Sequence, residues 1–494
     1  GVVEIKGEVM NIRVPRFAGK MEIETRSVTL VGGSGERELN FRKTGLVVFL
    51  IAITASSVVA AKSWRAGAAA AAITPQQPMW MAGYAGRNRP ADGKLTDLWV
   101  KALVLTDGKG RRAVLITADL IGIDRALSQS ICKKLKVAFG IEREQIAICT
   151  SHTHTGPVVA HNLRPMHYEL LDEVQQKLVE QYAKWLEGKV INVVGAALTN
   201  LHAANISWGS GRATFAVNRR NNSEADVPTL RAAGNLRGPS DHDVPVLAVR
   251  DPKGRLKAVV FGYACHATVL SFFQWSGDYP GFAQMELEKT HPDCVAMFWA
   301  GCGGDQNPLP RRKVELAQAY GKQLAVAVDK VLATTMTPVR GEMVTDYTEI
   351  NLPLGTLPSR ESLAKDAQST NRFVASRAKR LLTQFDKNGS LSTTYPYPIG
   401  VWRIGGDVQF VMLGGEVVVD YAVRLKRELA GRRSWVAGYA NDVMAYIPSR
   451  RVLREGGYEG LGAMVYYGLP TAWSPDVEEM IVEEVRKLAG KQGK

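Results

Sequence analysis

LWVKALVLTDGKGRRAVLITADLIGI, Leu98 to Ile123, decides the fold class of this chain. It contains two apolar runs, Leu98–Thr106 and Arg112–Leu120, each with the length and composition of a strand. The polar, glycine-containing turn DGKG between them predicts that the two runs pair as a hairpin. In the next segment, Asp124–Gly140, apolar residues recur at helical spacing and end at a glycine, so a helix follows the hairpin.

The same mixture of strands and helices continues along the rest of the chain. Further strands are predicted at QIAICTS (145–151), DVPVLAVRD (243–251), LKAVVFGYACH (256–266), CVAMFWAG (294–301) and VQFVMLGGEVVV (408–419). Further helices are predicted within residues 168–201, 313–335 and 474–490. This order favours the α/β class, with mixed sheets and flanking helices.

Domain organisation follows from what separates these elements. No linker rich in proline or serine divides the chain, so residues 62–494 are predicted to form one large domain. The alanine-rich stretch Ala68–Ala72 is expected to be flexible. The polar segment Ser359–Thr394 is expected to be an exposed helical insertion.

Composition and charge exclude some function classes. The 494 residues carry a formal net charge of +14, which invites a nucleic-acid interpretation. However, the basic residues are scattered without interleaved aromatics or a recognisable nucleic-acid motif, so we expect no nucleic-acid partner. A positive surface could equally favour an anionic membrane or acidic glycans. The five cysteines form no CxxC pair, and their odd number is not that of a disulfide framework.

The N-terminal region is predicted to direct export. Residues 1–41 are a polar leader of unknown role, and residues 42–61 combine two basic residues, an apolar run and small residues near Ala60. That order is typical of a secretory signal peptide, which predicts a secreted or periplasmic protein. The alternative is a membrane anchor, although the apolar run is marginal in length for spanning a bilayer.

Candidate metal ligands lie where predicted strands end. His152 and His154, in CTSHTHTGP, follow an apolar strand and, two apart in an extended segment, are expected to point to the same side. His266 follows a second apolar strand, and Glu416 lies inside a third apolar run, where burial of a carboxylate is costly unless it is paired or bound to a metal. The pattern is consistent with a zinc site that leaves a position for water. Hydrogen-bonded loop histidines and a partly exposed glutamate are the alternative.

Five short motifs, in order along the chain, resemble the neutral/alkaline non-lysosomal ceramidases, which are zinc-dependent amidases that cleave the N-acyl bond of ceramide. The motifs are SHTHTGP (151–157), AVNRR (216–220), FGYACHATV (261–269), GGEVVVDYAVRLK (414–426) and GYANDVMAYIPSRRVLREGGYEG (438–460). The resemblance spans roughly residues 73–467. It implies a zinc-hydrolase fold with the metal at strand ends. It also implies an N-acyl lipid substrate and peripheral contact between the protein and a membrane.

The resemblance also implies roles for individual residues. The zinc ligands of the family correspond to His152, His266, Glu416 and Tyr446. The residues that would surround the substrate amide are His154, Arg219 and Tyr458. In this scheme a zinc-activated water attacks the amide. An arginine and a tyrosine hydroxyl stabilise the oxyanion, and His154 passes a proton to the leaving amine.

Two departures from the family bear on the substrate. In the segment GGDQNPLP (303–310), Asp305 and Pro308 match the family, but Asn307 stands where the family has a serine. An asparagine cannot form an acyl-enzyme, so Asn307 and Asp305 are assigned to substrate binding. We also expect residues 62–494 to contain no counterpart of the family's C-terminal immunoglobulin-like domain. The expected function is therefore hydrolysis of ceramide, with another N-acyl compound (a sugar or lipid) or a non-catalytic metal-binding homologue as alternatives.

Overall fold

The computed structural model describes residues 64–429 and 433–490. The β-strands in these ranges are β1 (Arg65–Ala72), β2 (Gly93–Lys94), β3 (Trp99–Thr106), β4 (Arg112–Ala118), β5 (Ile146–Thr150), β6 (His202–Ala203), β7 (Asn205–Arg212), β8 (Ala216–Asn218), β9 (Asp243–Arg250), β10 (Leu256–Tyr263), β11 (Gln274–Trp275), β12 (Val295–Ala300), β13 (Gln306–Pro308), β14 (Thr337–Pro338), β15 (Met343–Pro353), β16 (Thr394–Ile404), β17 (Val408–Leu413), β18 (Glu416–Val417), β19 (Arg433–Ala437) and β20 (Tyr446–Ile447). The α-helices are α1 (Arg125–Phe139), α2 (Glu173–Thr199), α3 (Val227–Ala232), α4 (Asp278–Thr290), α5 (Val314–Leu332), α6 (Arg360–Asp366), α7 (Arg372–Asn388), α8 (Val419–Glu428), α9 (Arg450–Glu455), α10 (Met464–Tyr467) and α11 (Val477–Gly490).

The predicted leader (residues 1–41) and the predicted signal peptide (residues 42–61) lie outside the described residues. Export and the domain limits therefore stay predictions. Among the helices that the structure describes, none combines the length and apolar character needed to cross a membrane.

The first sheet has the strand order β5-β4-β3-β1-β6. The predicted hairpin is confirmed, because β3 and β4 pair antiparallel from Val100 opposite Ala118 to Thr106 opposite Arg112. The expectation of a flexible stretch at Ala68–Ala72 is wrong, since these residues belong to β1 and pair antiparallel with β3. Small side chains serve a packing purpose here: a Cβ on Gly67 would lie 2.1 Å from the backbone oxygen of Ala197 in α2.

Two further sheets complete the framework of the described chain. The second sheet has the order β12-β10-β9-β7-β14, and the third has the order β15-β16-β17-β19. One face of each sheet contributes to a shared apolar core, which includes Leu103, Val260, Trp299, Trp402 and Phe410. Because three sheets bury their inner faces against one another, the molecule is held together by long-range contacts.

Helices cover the outer faces of the sheets. α1 and α2 pack on the first sheet, α4 and α5 on the second, and α8 and α11 on the third. The mixed α/β class with flanking helices is confirmed. The predicted insertion at Ser359–Thr394 is also helical: it contains α6 and α7, which enclose a small core of their own around Leu363 and Leu381.

The chain segments that leave the three sheets meet at one place. Thr153, just after β5, forms a parallel bridge with Ala267, just after β10. Cys149 at the end of β5 bridges Ala440, which follows β19 of the third sheet, and Gly301 after β12 bridges Ala437. These bridges fix the loops that carry the candidate ligands. The five cysteines are buried free thiols.

Candidate metal centre

His152 and His154 reach the centre from a tight loop. β5 ends at Thr150, and His152 adopts a left-handed backbone conformation with φ of 58°. The prediction that both side chains share one side of an extended strand is therefore wrong in its geometry. The two rings nevertheless converge, with His154 Nε2 lying 3.2 Å from His152 Nε2. The turn brings them together, and such backbone strain in a non-glycine residue is commonly found at functional sites.

His266 arrives in a similar way from the second sheet. β10 ends at Tyr263, and the backbone N–H of His266 donates a hydrogen bond to Gln306 at 2.9 Å. The loop after β10 is thereby held against the short strand β13.

Glu416 and Tyr446 are brought together by strand register. The predicted run 408–419 is divided at Gly414 and Gly415, so β17 ends before the glutamate and β18 begins with it. β18 pairs in parallel with β20, which places Glu416 directly beside Tyr446. Gly415 makes this approach possible: its φ is 76°, and a Cβ would lie 2.6 Å from the backbone oxygen of Ala445.

The side-chain donor atoms of these residues form one buried cluster. Glu416 Oε2 lies 3.1 Å from His152 Nε2 and 2.9 Å from His266 Nε2. The Tyr446 hydroxyl lies 3.2 Å from His266 Nε2. His152, His154 and His266 together form a group that could hold a metal ion. All of these residues are buried.

Hydrogen bonds to backbone oxygens fix which nitrogen of each ring faces the cluster. His152 Nδ1 donates to the carbonyl oxygen of Ile121 at 2.6 Å, and His266 Nδ1 donates to that of Gly303 at 2.7 Å. Burial, with a smaller contribution from the charge of Arg219, lowers the pKa of His266 to about 4, so its ring is neutral at pH 7. In a neutral ring whose Nδ1 carries the proton, Nε2 presents a lone pair.

These lone pairs face an oxygen that has no hydrogen-bond donor. Glu416 Oε2 is buried and has no hydrogen-bond partner among the described residues. Electron-pair donors gathered this closely need a cation between them. Zinc bonds of about 2.0–2.1 Å in tetrahedral geometry place ligand atoms roughly 3.3 Å apart, close to the separations seen here. Carbonyl oxygens behind both ligating histidines are the usual support for a metal site. The residues fit a divalent metal.

Arg219 links the cluster to the other predicted substrate-site residues. Its guanidinium donates to the Tyr446 hydroxyl at 3.0 Å, to Asn307 Oδ1 at 3.2 Å and to Glu459 Oε1 at 2.8 Å. Burial alone would lower the pKa of Arg219, but Tyr446 and Glu459 outweigh it and hold that pKa well above its ordinary value. The Tyr458 ring lies 5.3 Å from the Tyr446 ring and is 46% exposed. Tyr458 therefore forms part of the solvent-facing wall.

Asp305 is placed differently from the other predicted residues. Its carboxylate is fully buried and accepts hydrogen bonds from the backbone of Val419 at 2.8 Å and from Asn218 Nδ2 at 3.0 Å. The aspartate thus joins β8 to the start of α8 beneath the site, while its backbone oxygen accepts from the N–H of Arg219. Its contacts are those of a support for Arg219.

Sequence reasoning missed several residues of the site. The Tyr467 hydroxyl donates to Glu416 Oε1, the oxygen turned away from the histidines. The Tyr439 ring lies 4.3 Å from the His152 ring, and the Tyr84 ring lies 4.8 Å from the His154 ring. Arg87 donates to the backbone oxygen of His154 at 2.7 Å. Tyr439 stands in the quoted motif 438–460, but no local pattern distinguishes Tyr84, Arg87 or Tyr467 from packed residues.

Known proteins resemble this chain in both sequence and fold. Residues 64–309 match the family described as neutral/alkaline non-lysosomal ceramidase, N-terminal. A neutral ceramidase of Drosophila pseudoobscura pseudoobscura is 29% identical over 111 residues, which cover 22% of this chain and 16% of that protein. A neutral ceramidase of Oryza sativa subsp. japonica is 24% identical over 159 residues, or 29% of this chain and 20% of that protein.

Two solved structures share the fold. The crystal structure of neutral ceramidase from Pseudomonas aeruginosa superposes with a TM-score of 0.67 at 20% identity and covers 86% of this chain and 74% of that one. A structure described as ceramidase complexed with C2 gives a TM-score of 0.67 at 19% identity, covering 86% and 75%. Through residues 64–309, which include His152, His154 and His266, this chain belongs to the neutral/alkaline non-lysosomal ceramidase family.

Proposed function

We propose that this protein is a zinc-dependent amidohydrolase that cleaves the N-acyl bond of ceramide or of a related N-acyl compound. The observation that carries the proposal is the buried cluster of His152 Nε2, His266 Nε2 and Glu416 Oε2, in which the carboxylate oxygen lies within 3.1 Å of both nitrogens. Membership of the ceramidase family supports the reaction class. We also propose that the protein acts outside the cytoplasm, on the basis of the signal-like residues 42–61.

The ligands would be His152, His266, Glu416 and Tyr446. Bound zinc lowers the pKa of a coordinated water toward neutrality and polarises a substrate carbonyl. The imidazole and carboxylate donors suit that ion. Arg219 donates to the Tyr446 hydroxyl and orients the phenol. Burial and then the charge of Glu416 hold the pKa of Tyr446 well above its ordinary value, and the charge of Arg219 opposes them.

His154 is available for proton transfer. Its Nδ1 is buried and has no hydrogen-bond partner among the described residues, and its ring is 9% exposed. Burial and then the neighbouring rings of His152 and His266 lower the pKa of His154 well below its ordinary value. A neutral His154 can accept a proton at neutral pH and then return it to the leaving amine.

Arg219 and Tyr458 form the wall where negative charge would develop on the substrate oxygen. The guanidinium carbon of Arg219 lies 5.7 Å from the centre of the Tyr458 ring, and the exposed phenol can reach a bound substrate. Fixed donors of this kind stabilise the oxyanion of the tetrahedral intermediate. Asn307 holds Arg219 through its side-chain oxygen, so it positions a donor and supplies no nucleophile.

The asparagine also favours a second candidate substrate. Because the residue in the position of the family's serine is an amide that is already engaged by Arg219, a substrate other than ceramide remains a specific alternative. The test is to measure the zinc content of the purified protein. Release of fatty acid from ceramide and from N-acyl sugars is then followed with and without a chelator.

We expect one zinc per chain and chelator-sensitive hydrolysis. Bound zinc with no turnover on any N-acyl substrate would instead indicate a non-catalytic metal-binding protein. Replacing Asn307 with serine separates the two substrates, because a gain of ceramide cleavage would show that this position sets specificity.

A further inference from the structure

Three arginines gather around the segment Gly83–Ala85, which packs against His154. Arg87 donates to the His154 backbone oxygen, and its guanidinium carbon lies 5.4 Å from the Tyr84 ring. Arg312 donates to the Tyr84 hydroxyl at 3.0 Å. Arg372, from the N-terminus of α7, donates to the backbone oxygen of Ala85 at 2.9 Å. We call Arg87, Arg312 and Arg372 the arginine rim.

Arg87 carries a buried charge that the protein leaves without an anion. Its side chain is buried, with the residue 3% exposed, and it donates only to the backbone oxygens of Ala82, Phe272 and His154. Burial lowers the pKa of Arg87 to about 10, which still leaves the guanidinium charged at neutral pH. A buried charge without an opposite charge is costly. The three backbone oxygens satisfy its hydrogen bonds but leave its positive charge in place beside a candidate catalytic histidine, where it adds to the attraction for an anion.

The neighbouring arginines show that pairing is the normal condition at this surface. Arg89 pairs with Asp92 and Arg311 pairs with Glu224. By contrast, no carboxylate in the described part of the chain forms an ion pair with Arg87, Arg312 or Arg372. Arg312 and Arg372 are exposed and add positive charge beside Tyr84 and Ala85, where the buried Asp278 carboxylate is the acidic group that acts electrostatically on Arg312.

The rim lies on the side of the cluster where the leaving amine would sit. Arg219 and Tyr458, which would hold the carbonyl oxygen, are grouped with Tyr446. The rim is instead grouped with Tyr84 and His154, the residue that would protonate the amine. A group bound at the rim therefore belongs to the amine part of the substrate.

We propose that the substrate is an N-acyl compound whose amine part carries an anionic group, a carboxylate or a sulfonate, that binds at the arginine rim. This inference rests on the proposed amidohydrolase function. Guanidinium groups bind such anions through paired, charge-assisted hydrogen bonds. Tyr84 supports the rim, since its hydroxyl accepts from Arg312 while donating to the Leu270 oxygen at 2.9 Å.

The test compares substrates that share one acyl chain: N-lauroylglycine and N-lauroyltaurine, which are anionic, and N-lauroylethanolamine, which is neutral. We expect kcat/KM to be about tenfold or more higher for the anionic pair, with added salt reducing the difference. Arg312→Gln and Arg372→Gln should each lower kcat/KM for the anionic substrates by about tenfold, the effect of losing one charge-assisted hydrogen bond. The decrease in kcat/KM should be clearly smaller for the neutral substrate than for the anionic ones. Arg89→Gln, which removes the same charge from a paired guanidinium, is the matched control and should leave the preference intact.

The outcomes separate this inference from the function on which it rests. Absence of turnover on all substrates, ceramide included, would contradict the amidohydrolase itself. Equal turnover of neutral and anionic substrates, or an equal loss on both in Arg312→Gln, would contradict only the anionic group. A third outcome is that ceramide is cleaved faster in anionic than in neutral vesicles while the soluble substrates show no preference. That result would assign the rim to a membrane surface and would also overturn the inference.

Discussion

At the scale of single residues, the proposed chemistry depends on which atom of each side chain carries a proton. The backbone oxygens of Ile121 and Gly303 accept hydrogen bonds from Nδ1 of His152 and His266, so Nε2 is the ring atom that each histidine turns toward Glu416. Three acceptors in contact are unfavourable unless a cation lies between them. The geometry therefore favours a metal more strongly than the presence of histidines alone.

Removing a ligand should remove the metal and the activity together. We expect His152→Ala and Glu416→Ala to lose bound zinc, as measured by atomic absorption, and to lose hydrolysis of N-acyl substrates. His291→Ala is the control, because His291 lies away from the cluster. Its Nε2 is 2.7 Å from Asp329 Oδ1. Retention of stoichiometric zinc in Glu416→Ala would show that the carboxylate is not a ligand.

Tyr458→Phe should separate catalysis from metal binding. Tyr458 is partly exposed at the wall of the site and is not one of the proposed metal ligands, so zinc content should not change. Loss of one oxyanion donor is expected to lower kcat by about 10²-fold or more. Tyr466→Phe is the control, because it removes the hydroxyl of a neighbouring tyrosine whose ring lies 6.2 Å from the Tyr458 ring. A Tyr458→Phe enzyme with unchanged kcat would remove this residue from the oxyanion site.

Tyr467 is expected to position Glu416. Its hydroxyl donates to Oε1 and so directs Oε2 toward the two imidazoles. Tyr467→Phe should weaken zinc affinity by roughly 10–100-fold, the usual effect of losing a residue that orients a ligand. Competition with a chelator measures this. Tyr395→Phe, which removes a phenol bonded to Asp442 instead, should leave the affinity unchanged. If both variants bind zinc equally well, Tyr467 has no such role.

At the scale of elements, local patterns located most of the strands and helices but could not supply their contacts. The hairpin of β3 and β4 was predictable because both apolar runs and the turn are adjacent in sequence. The pairing of β18 with β20 was not, since two-residue strands thirty positions apart carry no periodicity. β1 was missed because alanine has a low strand propensity, and the close packing of α2 decided its conformation.

Gly415 should be needed for the register that joins Glu416 to Tyr446. An alanine there would combine an unfavourable φ of 76° with a Cβ contact of 2.6 Å to backbone. We expect Gly415→Ala to destabilise the fold by about 1–3 kcal/mol in urea unfolding, and to weaken metal binding. Gly389→Ala has the same φ with open space around it and is the matched control. Equal losses in the two variants would assign the effect to φ alone.

At the scale of the whole molecule, the candidate ligands come from loops that leave three different sheets. A bound metal should therefore stabilise the packing of all three sheets. Chelation is expected to lower Tm, because metal at about a thousand times its Kd adds roughly 4 kcal/mol to the stability of the folded state. Differential scanning fluorimetry measures this, and Glu416→Ala should show no further decrease on chelation. An unchanged Tm in the wild-type protein would argue against a bound metal.

The convergence of the ligands could be reached from sequence only through resemblance. The spacing between His154, His266 and Glu416 carries no local signal, and the extended-strand argument for His152 and His154 described the wrong backbone. The resemblance of the quoted motifs compensated for this, because they keep the order of segments that meet in space; the family match itself covers the histidines but not Glu416. The arginine rim lies outside those motifs, so its charges became visible only once the fold had placed them together.

The division of the ligands along the chain has a consequence for biosynthesis. The histidine group is complete within residues 64–309, whereas Glu416 and Tyr446 are translated later. A nascent chain that has emerged only as far as the histidines would lack the carboxylate and the phenol. The complete ligand set is thus expected to form only after β20 has been translated, and the histidines made earlier would hold a metal with fewer donors.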